Sequence, residues 1–207
     1  MRVCLGPFPP ARGSSGDRAA VTGSDMTIAT MGHTDESLIA QVCELLVSSF
    51  RDLSPTWAPT LEAARTTVIE ALAPGMLSRV LLVGDRVVGW VGARHDYSSV
   101  WELHPLAVQP FTQGQGIGRA LVEDFEEQAR LKGALTITLG SDDEDGMTSL
   151  ANVDLYEDLW EKIRDIQNLK HHPFEFYQKL GYIITGIVPD ANGIGKPDIL
   201  MAKKVGR

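Results

Sequence analysis

The stretch from Trp101 to Arg119 constrains this chain more than any other. Val100, Leu103, Leu106 and Val108 stand among aromatic and branched neighbours and predict a strand. Gln113, Gly114, Gln115, Gly116 and Gly118 then make a glycine-rich turn. Ile117, Leu121, Phe125 and Ala129 recur every four residues, so an amphipathic helix follows. A glycine turn at a helix start presents unpaired backbone N–H groups at the positive end of a helix dipole, a setting that suits phosphate. A nucleotide P-loop would need Gly-Lys-Ser/Thr, and Gly118-Arg119-Ala120 does not supply it. A dinucleotide fingerprint needs Gly-x-Gly-x-x-Gly, which the spacing of Gly114, Gly116 and Gly118 breaks. The pattern that is met is Gln/Arg-x-x-Gly-x-Gly/Ala, through Gln113, Gly116 and Gly118. From these six residues alone, a plain strand-to-helix connection remains the alternative.

Pro105 sits inside the predicted strand. Proline cannot donate to a sheet ladder, so it marks an edge or a bulge. A bulge would splay the strand and free backbone N–H groups near Leu106. In a regular strand Glu102, His104 and Leu106 share one side; a bulge breaks that alternation.

The chain of 207 residues suits one domain with a sizeable core. It is 43% hydrophobic and 22% charged, as expected of a globular protein. Its net charge of −8 argues against a nucleic-acid partner and allows a cationic one. Two cysteines, Cys4 and Cys43, make no disulfide framework, no Cys/His pair has zinc spacing, and no metal is expected. No apolar run is long enough for a membrane span. Residues 1–25 are rich in Gly, Pro, Ser and Arg, and Gly6, Pro7, Pro9 and Pro10 interrupt any secretory core. They read as a disordered extension, with Met26 as the expected start of the folded domain, residues 26–207. A cytoplasmic location is the default expectation.

Around the central stretch, 27–30 reads as a short strand and 36–50 as a helix capped by Thr34 or Asp35. Thr60 caps a second helix reaching about Ala73, before Pro74-Gly75. Residues 80–83 and 87–91 form a hairpin around Gly84-Asp85. The central helix runs to about Leu131 and a buried strand spans 135–139. Four acids, Asp142, Asp143, Glu144 and Asp145, follow it. Ligands of open α/β sheets sit beyond the carboxyl ends of strands, although a charge run can equally be a solvated face. Helices are expected over 157–168 and 174–180, and strands over 182–188 and 199–203.

This order resembles the GNAT acetyltransferase fold, an α/β architecture with a mixed central sheet, a splayed fourth strand and flanking helices. The glycine loop resembles that family's coenzyme A pyrophosphate loop. Residues 176–182 resemble its aromatic-Tyr-x-Lys-x-Gly-aromatic motif. Four longer segments, 101–106, 139–143, 168–177 and 196–203, are similar to bacterial aminoglycoside 6'-N-acetyltransferases. The glycine loop identifies only the superfamily; the four segments together are more specific. Gln113 stands where many relatives carry Arg.

The resemblance implies acetyl-CoA as the donor and a polycationic aminoglycoside as the acceptor. Leu106, Ala107, Val108, Gln113, Gly114, Gln115, Gly116, Ile117, Gly118, Arg119 and Asn168 are the implied coenzyme contacts. Tyr177 is implied as the acid for the departing thiolate, and the Leu106 N–H as the carbonyl-polarising donor. Glu102 would bind the ammonium group and take its proton, with His104 assisting. Trp57, Glu102, Asp142, Asp143 and Glu144 would line the acceptor cleft. The resemblance also implies a homodimer. Two other readings stand beside it: a GNAT enzyme with another amine substrate, such as a polyamine or a peptide, and a non-catalytic acyl-CoA sensor.

Overall fold

A computed structural model describes residues 26–50 and 59–207. The expectations for residues 1–25 and for Trp57 fall outside the described residues. Seven strands form one sheet: β1 (Met26–Thr30), β2 (Ser78–Val83), β3 (Arg86–Tyr97), β4 (Val100–Val108), β5 (Thr136–Asp142), β6 (Ile183–Val188) and β7 (Asp198–Lys204). Their spatial order is β1-β2-β3-β4-β5-β7-β6. All neighbours pair antiparallel except β4 and β5. A parallel pair needs a crossover, which the helix α3 (Ile117–Leu131) supplies.

Helices α1 (Glu36–Phe50) and α2 (Leu61–Glu70) cover one face of the sheet, where Ile39, Val42 and Leu46 meet Val80, Trp90 and Ala107. The opposite face packs on α3 through Leu121, Val122 and Phe125, against Leu103, Leu106, Ile137 and Met201. Thr60 caps α2 by accepting from the Ala63 N–H at 3.2 Å. The Asp35 carbonyl accepts the first bond of α1, from the Ile39 N–H. No helix among the described residues is long and apolar enough to cross a membrane.

Several boundaries differ from the sequence expectation for identifiable reasons. The helix expected over 157–168 shortens to α4 (Leu159–Arg164). Asp158 before it has a φ of 48°, and Gln167 pairs with Ser149 instead of continuing the helix. A short α5 (Phe174–Gln178) ends ahead of Gly181, whose φ is 92°. Strand β5 runs on through Asp142, because β7 pairs with it residue by residue up to Asp198.

The bulge expected at Pro105 is present. Val91 faces Leu106 and Ala93 faces Leu103, so two steps on β3 match three on β4. The extra residue changes the side chain alternation: Leu106 joins Leu103 under α3, while Ala107 turns to the α1 side. The His104–Pro105 peptide is cis. Across the bulge Gly92 is required, since a Cβ there would lie 2.7 Å from the His104 carbonyl oxygen.

Two ion pairs fasten α3 to the sheet. Arg79 on β2 holds Asp124 through Nε (2.6 Å) and Nη2 (2.8 Å), and Lys203 on β7 holds Glu126 at 2.6 Å. The Arg79 side chain is 11% exposed, so removing its partner strands a largely desolvated charge. Asp124→Ala is expected to lower stability by about 3 kcal/mol, while the apolar pair Arg79→Met/Asp124→Leu recovers most of it. Urea unfolding of the three proteins checks this.

Candidate functional site

The site begins where the sheet splits. Strands β4 and β5 pair only at Val100–Thr136, Trp101–Ile137 and Glu102–Thr138. Beyond that point β5 follows β7 and β4 follows β3 through the bulge, so the two diverge. The Gln109 N–H donates to the Val88 carbonyl at 2.9 Å. Antiparallel alternation therefore turns the N–H groups of Leu106 and Val108 away from β3, toward the gap. The Val108 carbonyl accepts from Ser49 Oγ and Gln113 Nε2, both at 3.3 Å, which fits that orientation.

On the α3 side of the gap lies a groove of about 510 Å³. Val108, Thr112, Gln113, Gly114, Gly116, Ile117, Gly118 and Arg119 form one wall. Asn168, His171, His172, Glu175, Phe176 and Lys179 form the other. Gly114 and Gly116 have φ of 78° and 85°, and nothing lies within 4 Å of a Cβ added at either. Backbone conformation, not crowding, is what demands glycine there. The first N–H groups of α3 have no intrahelical acceptor, and Arg119 and Lys179 add positive charge. The groove suits an extended anionic ligand.

The other expected coenzyme contacts divide. The Gln113 amide is engaged by the Val108 carbonyl and braces the turn. Gln115 is exposed outside the wall. Ala107 is not part of the groove: its side chain lies under α1, and alternation points its N–H at β3. Asn168 lines the groove, but its side chain closes a loop, accepting from the His172 N–H at 2.6 Å and donating to the His172 carbonyl at 2.9 Å.

Tyr177 is fully buried on the α3 side, edge-on to Phe176 (5.0 Å) and Tyr182 (5.7 Å). Glu102 lies on the opposite face of the sheet. It is 2% exposed, yet it borders a cavity of about 210 Å³ shared with Tyr97, Thr138, Thr185 and Leu200. His104 borders a separate small cleft beside α2, with Thr67, Glu70 and Arg94. The expected acid and base thus sit on either side of the gap.

The acidic run resolves into unlike residues. Asp143, expected in the acceptor cleft, is fully buried and faces its own loop. It accepts from the Met147 N–H (2.6 Å), the Thr148 N–H (2.8 Å) and Thr148 Oγ1 (2.7 Å). Its neighbour Asp142 points the other way, as strand alternation requires, onto the face that carries Glu102. Asp198, which the sequence reading did not single out, stands in register opposite Asp142 and is 4% exposed. Burial and the Asp198 charge push the Asp142 carboxyl up to about 7. Glu144 is half-buried and Asp145 exposed.

His172 was also missed by sequence reasoning; only its place before Pro173 hints at a turn. Its Nδ1 accepts from the Phe174 N–H at 3.2 Å, so the proton is on Nε2, which donates to the Asp142 carbonyl at 3.1 Å. Burial holds this imidazole below the usual histidine range, against the opposing pull of Asp143, and the ring is neutral. It ties the end of β5 to the start of α5.

Residues 39–159 match the sequence profile described as the acetyltransferase (GNAT) family. No curated protein matches the chain. Among solved structures, an aminoglycoside 6'-N-acetyltransferase complexed with coenzyme A is 38% identical, with a TM-score of 0.79. The alignment covers 86% of this chain and 97% of that one. The aminoglycoside 6'-N-acetyltransferase from Enterococcus faecium is 36% identical, with a TM-score of 0.78 and the same coverage. An aminoglycoside 6'-acetyltransferase of type Ii is 32% identical, with a TM-score of 0.66, again at 86% and 97% coverage.

The raised Asp142 carboxyl has a consequence for stability. Its protonated form is favoured on folding, so the contribution is complete below pH 3.8 and is lost as pH rises toward about 7. Asp142→Asn removes that dependence. The variant's melting temperature is expected to match wild type near pH 4, exceed it increasingly toward pH 7 and then hold a constant advantage. Discounted for partial exposure, the gain is on the order of 1–2 kcal/mol. Thermal melts across this pH range test it.

Proposed function

The chain belongs to the GNAT acetyltransferase family, and from that premise we propose that it transfers the acetyl group of acetyl-CoA to the 6'-amine of an aminoglycoside. The observation that carries the reading is the split sheet, with a phosphate-suited groove on one side and carboxylates on the other. A donor that is anionic and an acceptor that is cationic can then approach the gap from opposite faces. The aminoglycoside acceptor is supported by the 36% and 38% identical structures of such enzymes.

In this reading Gly114, Gly116, Ile117, Gly118 and Arg119 hold the pyrophosphate of acetyl-CoA, and Gln113 and Asn168 keep the walls in place. The Leu106 N–H donates to the thioester carbonyl oxygen where negative charge develops. Glu102 attracts the acceptor ammonium and takes its proton, directly or through a water in the adjoining cavity. The neutral amine attacks the carbonyl carbon, the C–S bond breaks, Tyr177 gives its proton to the departing thiolate, and the proton that the new amide nitrogen sheds restores Tyr177. His104 assists from the α2 side. Asp142, Asp198 and Glu144 take the remaining ammonium groups, and Trp57 is the proposed wall of the sugar site. The protein is further proposed to act as a homodimer in the cytoplasm.

A thiol-release assay with aminoglycosides, polyamines and peptides tests the function. Kanamycin-type acceptors are expected to turn over with modification at the 6'-amine. A preference for polyamines or peptides would reject the acceptor assignment, and no release with any amine would reject catalysis. Tyr177→Phe is expected to lower kcat by roughly tenfold to a thousandfold with little change in acetyl-CoA KM. A wild-type kcat, with chemistry rate-limiting, excludes the acid role.

A further inference from the structure

The loop between β6 and β7 reaches across to the end of β5. Its Asn192 donates from Nδ2 to Asp142 Oδ1 at 2.5 Å. The loop is closed on itself: Asp190 Oδ1 accepts from the Gly195 N–H at 2.7 Å, and the Asn192 N–H donates to the Lys196 carbonyl at 3.1 Å. It is also tied to the segment after β5, where the Asn152 N–H donates to the Gly195 carbonyl at 2.9 Å. The Asn192 amide is therefore presented from a braced position.

Several charged or titratable groups surround Asp142. Asp198 faces it from β7, and Glu144 acts on it from the following loop. Asp143 is turned into its own loop, and neutral His172 meets only the Asp142 backbone carbonyl. Burial first, and then the neighbouring carboxylates, push a proton onto Asp142. The Asn192 amide pulls the other way, because a hydrogen bond donated to an oxygen favours the ionised acid. Oδ2 of Asp142 is buried and has no hydrogen-bond partner among the described residues, so among them the Asn192 amide is the donor that holds this carboxylate.

We propose that Asn192 is a positioning residue for acceptor capture: it orients Asp142, keeps that carboxyl charged beside Asp198, and so sets the pH range over which this face takes an ammonium group. This rests on the acidic-face reading given under Proposed function. The amide contributes no proton to the reaction and touches no reacting atom. Its effect on the acceptor passes through Asp142.

The test uses Asn192→Leu, close in volume but without the donor, with Asn192→Ala as a second variant should leucine not be accommodated. Aspartate carboxyls labelled with carbon-13 are titrated by NMR in the free protein, and Asp142→Asn assigns the resonance. In parallel, kcat/KM for a kanamycin-type acceptor is followed from about pH 5.5 to 8.5 at saturating acetyl-CoA. The Asp142 midpoint, about 7 in the wild type, is expected to rise by about one unit on loss of the donor. The acid limb of kcat/KM moves up with it, the profiles converge at the alkaline end, and acetyl-CoA KM is unchanged. A folded variant whose Asp142 titrates as in wild type overturns the proposal. A midpoint that rises while the acceptor profile stays in place overturns the link to capture, and there it is the acidic-face reading that has failed.

Discussion

The gap between β4 and β5 governs the rest of this structure. It exists because β4 has two incompatible neighbours beyond Glu102. Pro105 has no N–H for a ladder, and the bulge around it lets β4 continue along β3 while β5 follows β7. Backbone groups in a sheet interior are normally paired. Here alternation turns the Leu106 and Val108 N–H groups into the gap, where a ligand carbonyl could meet them. The same extra residue moves Leu106 under α3 and leaves Glu102 on the far side. One local irregularity therefore sets both the direction of these N–H groups and the side of the sheet on which Leu106 lies.

That division also settles an electrostatic conflict. A chain of net charge −8 would repel a phosphate ligand if its carboxylates were spread evenly. Instead the groove carries Arg119, Lys179 and the start of α3, with Glu175 as its one acid among the described residues. Glu102, Asp142 and Asp198 lie across the sheet. In the proposed function, opposite charges draw opposite ligands to the two sides of one opening.

Much of the polar structure around the opening supports it rather than lining it. Asp143 folds the loop after β5, Asn168 closes the turn before α5, and His172 joins the two. Asp143 and His172 are buried, Asn168 is half-buried, and all three are hydrogen-bonded, as buried polar groups generally are. In the sequence they look the same as residues that would touch a ligand. Asp142 and Asp143 are adjacent and chemically identical, yet Asp142, the last residue of β5, faces the side that carries Glu102, while Asp143, just past the strand, turns into its own loop.

The sequence by itself determined the elements whose signal is local. Apolar spacing marked the helices at Glu36–Phe50 and Ile117–Leu131, the Gly84 turn marked the hairpin, and Pro105 marked the bulge. It also located the glycine turn, because positive φ at Gly114 and Gly116 is a demand on single residues. Tertiary structure decided what depends on a distant partner. Strand β5 extends through Asp142 only because β7 pairs with it, and Asp198 meets Asp142 only through that register. The helix after residue 157 is short because Gln167 finds Ser149. Periodicity records which side of an element is buried, but which other element covers it, and which carboxylates then face each other, is fixed only when the sheet assembles.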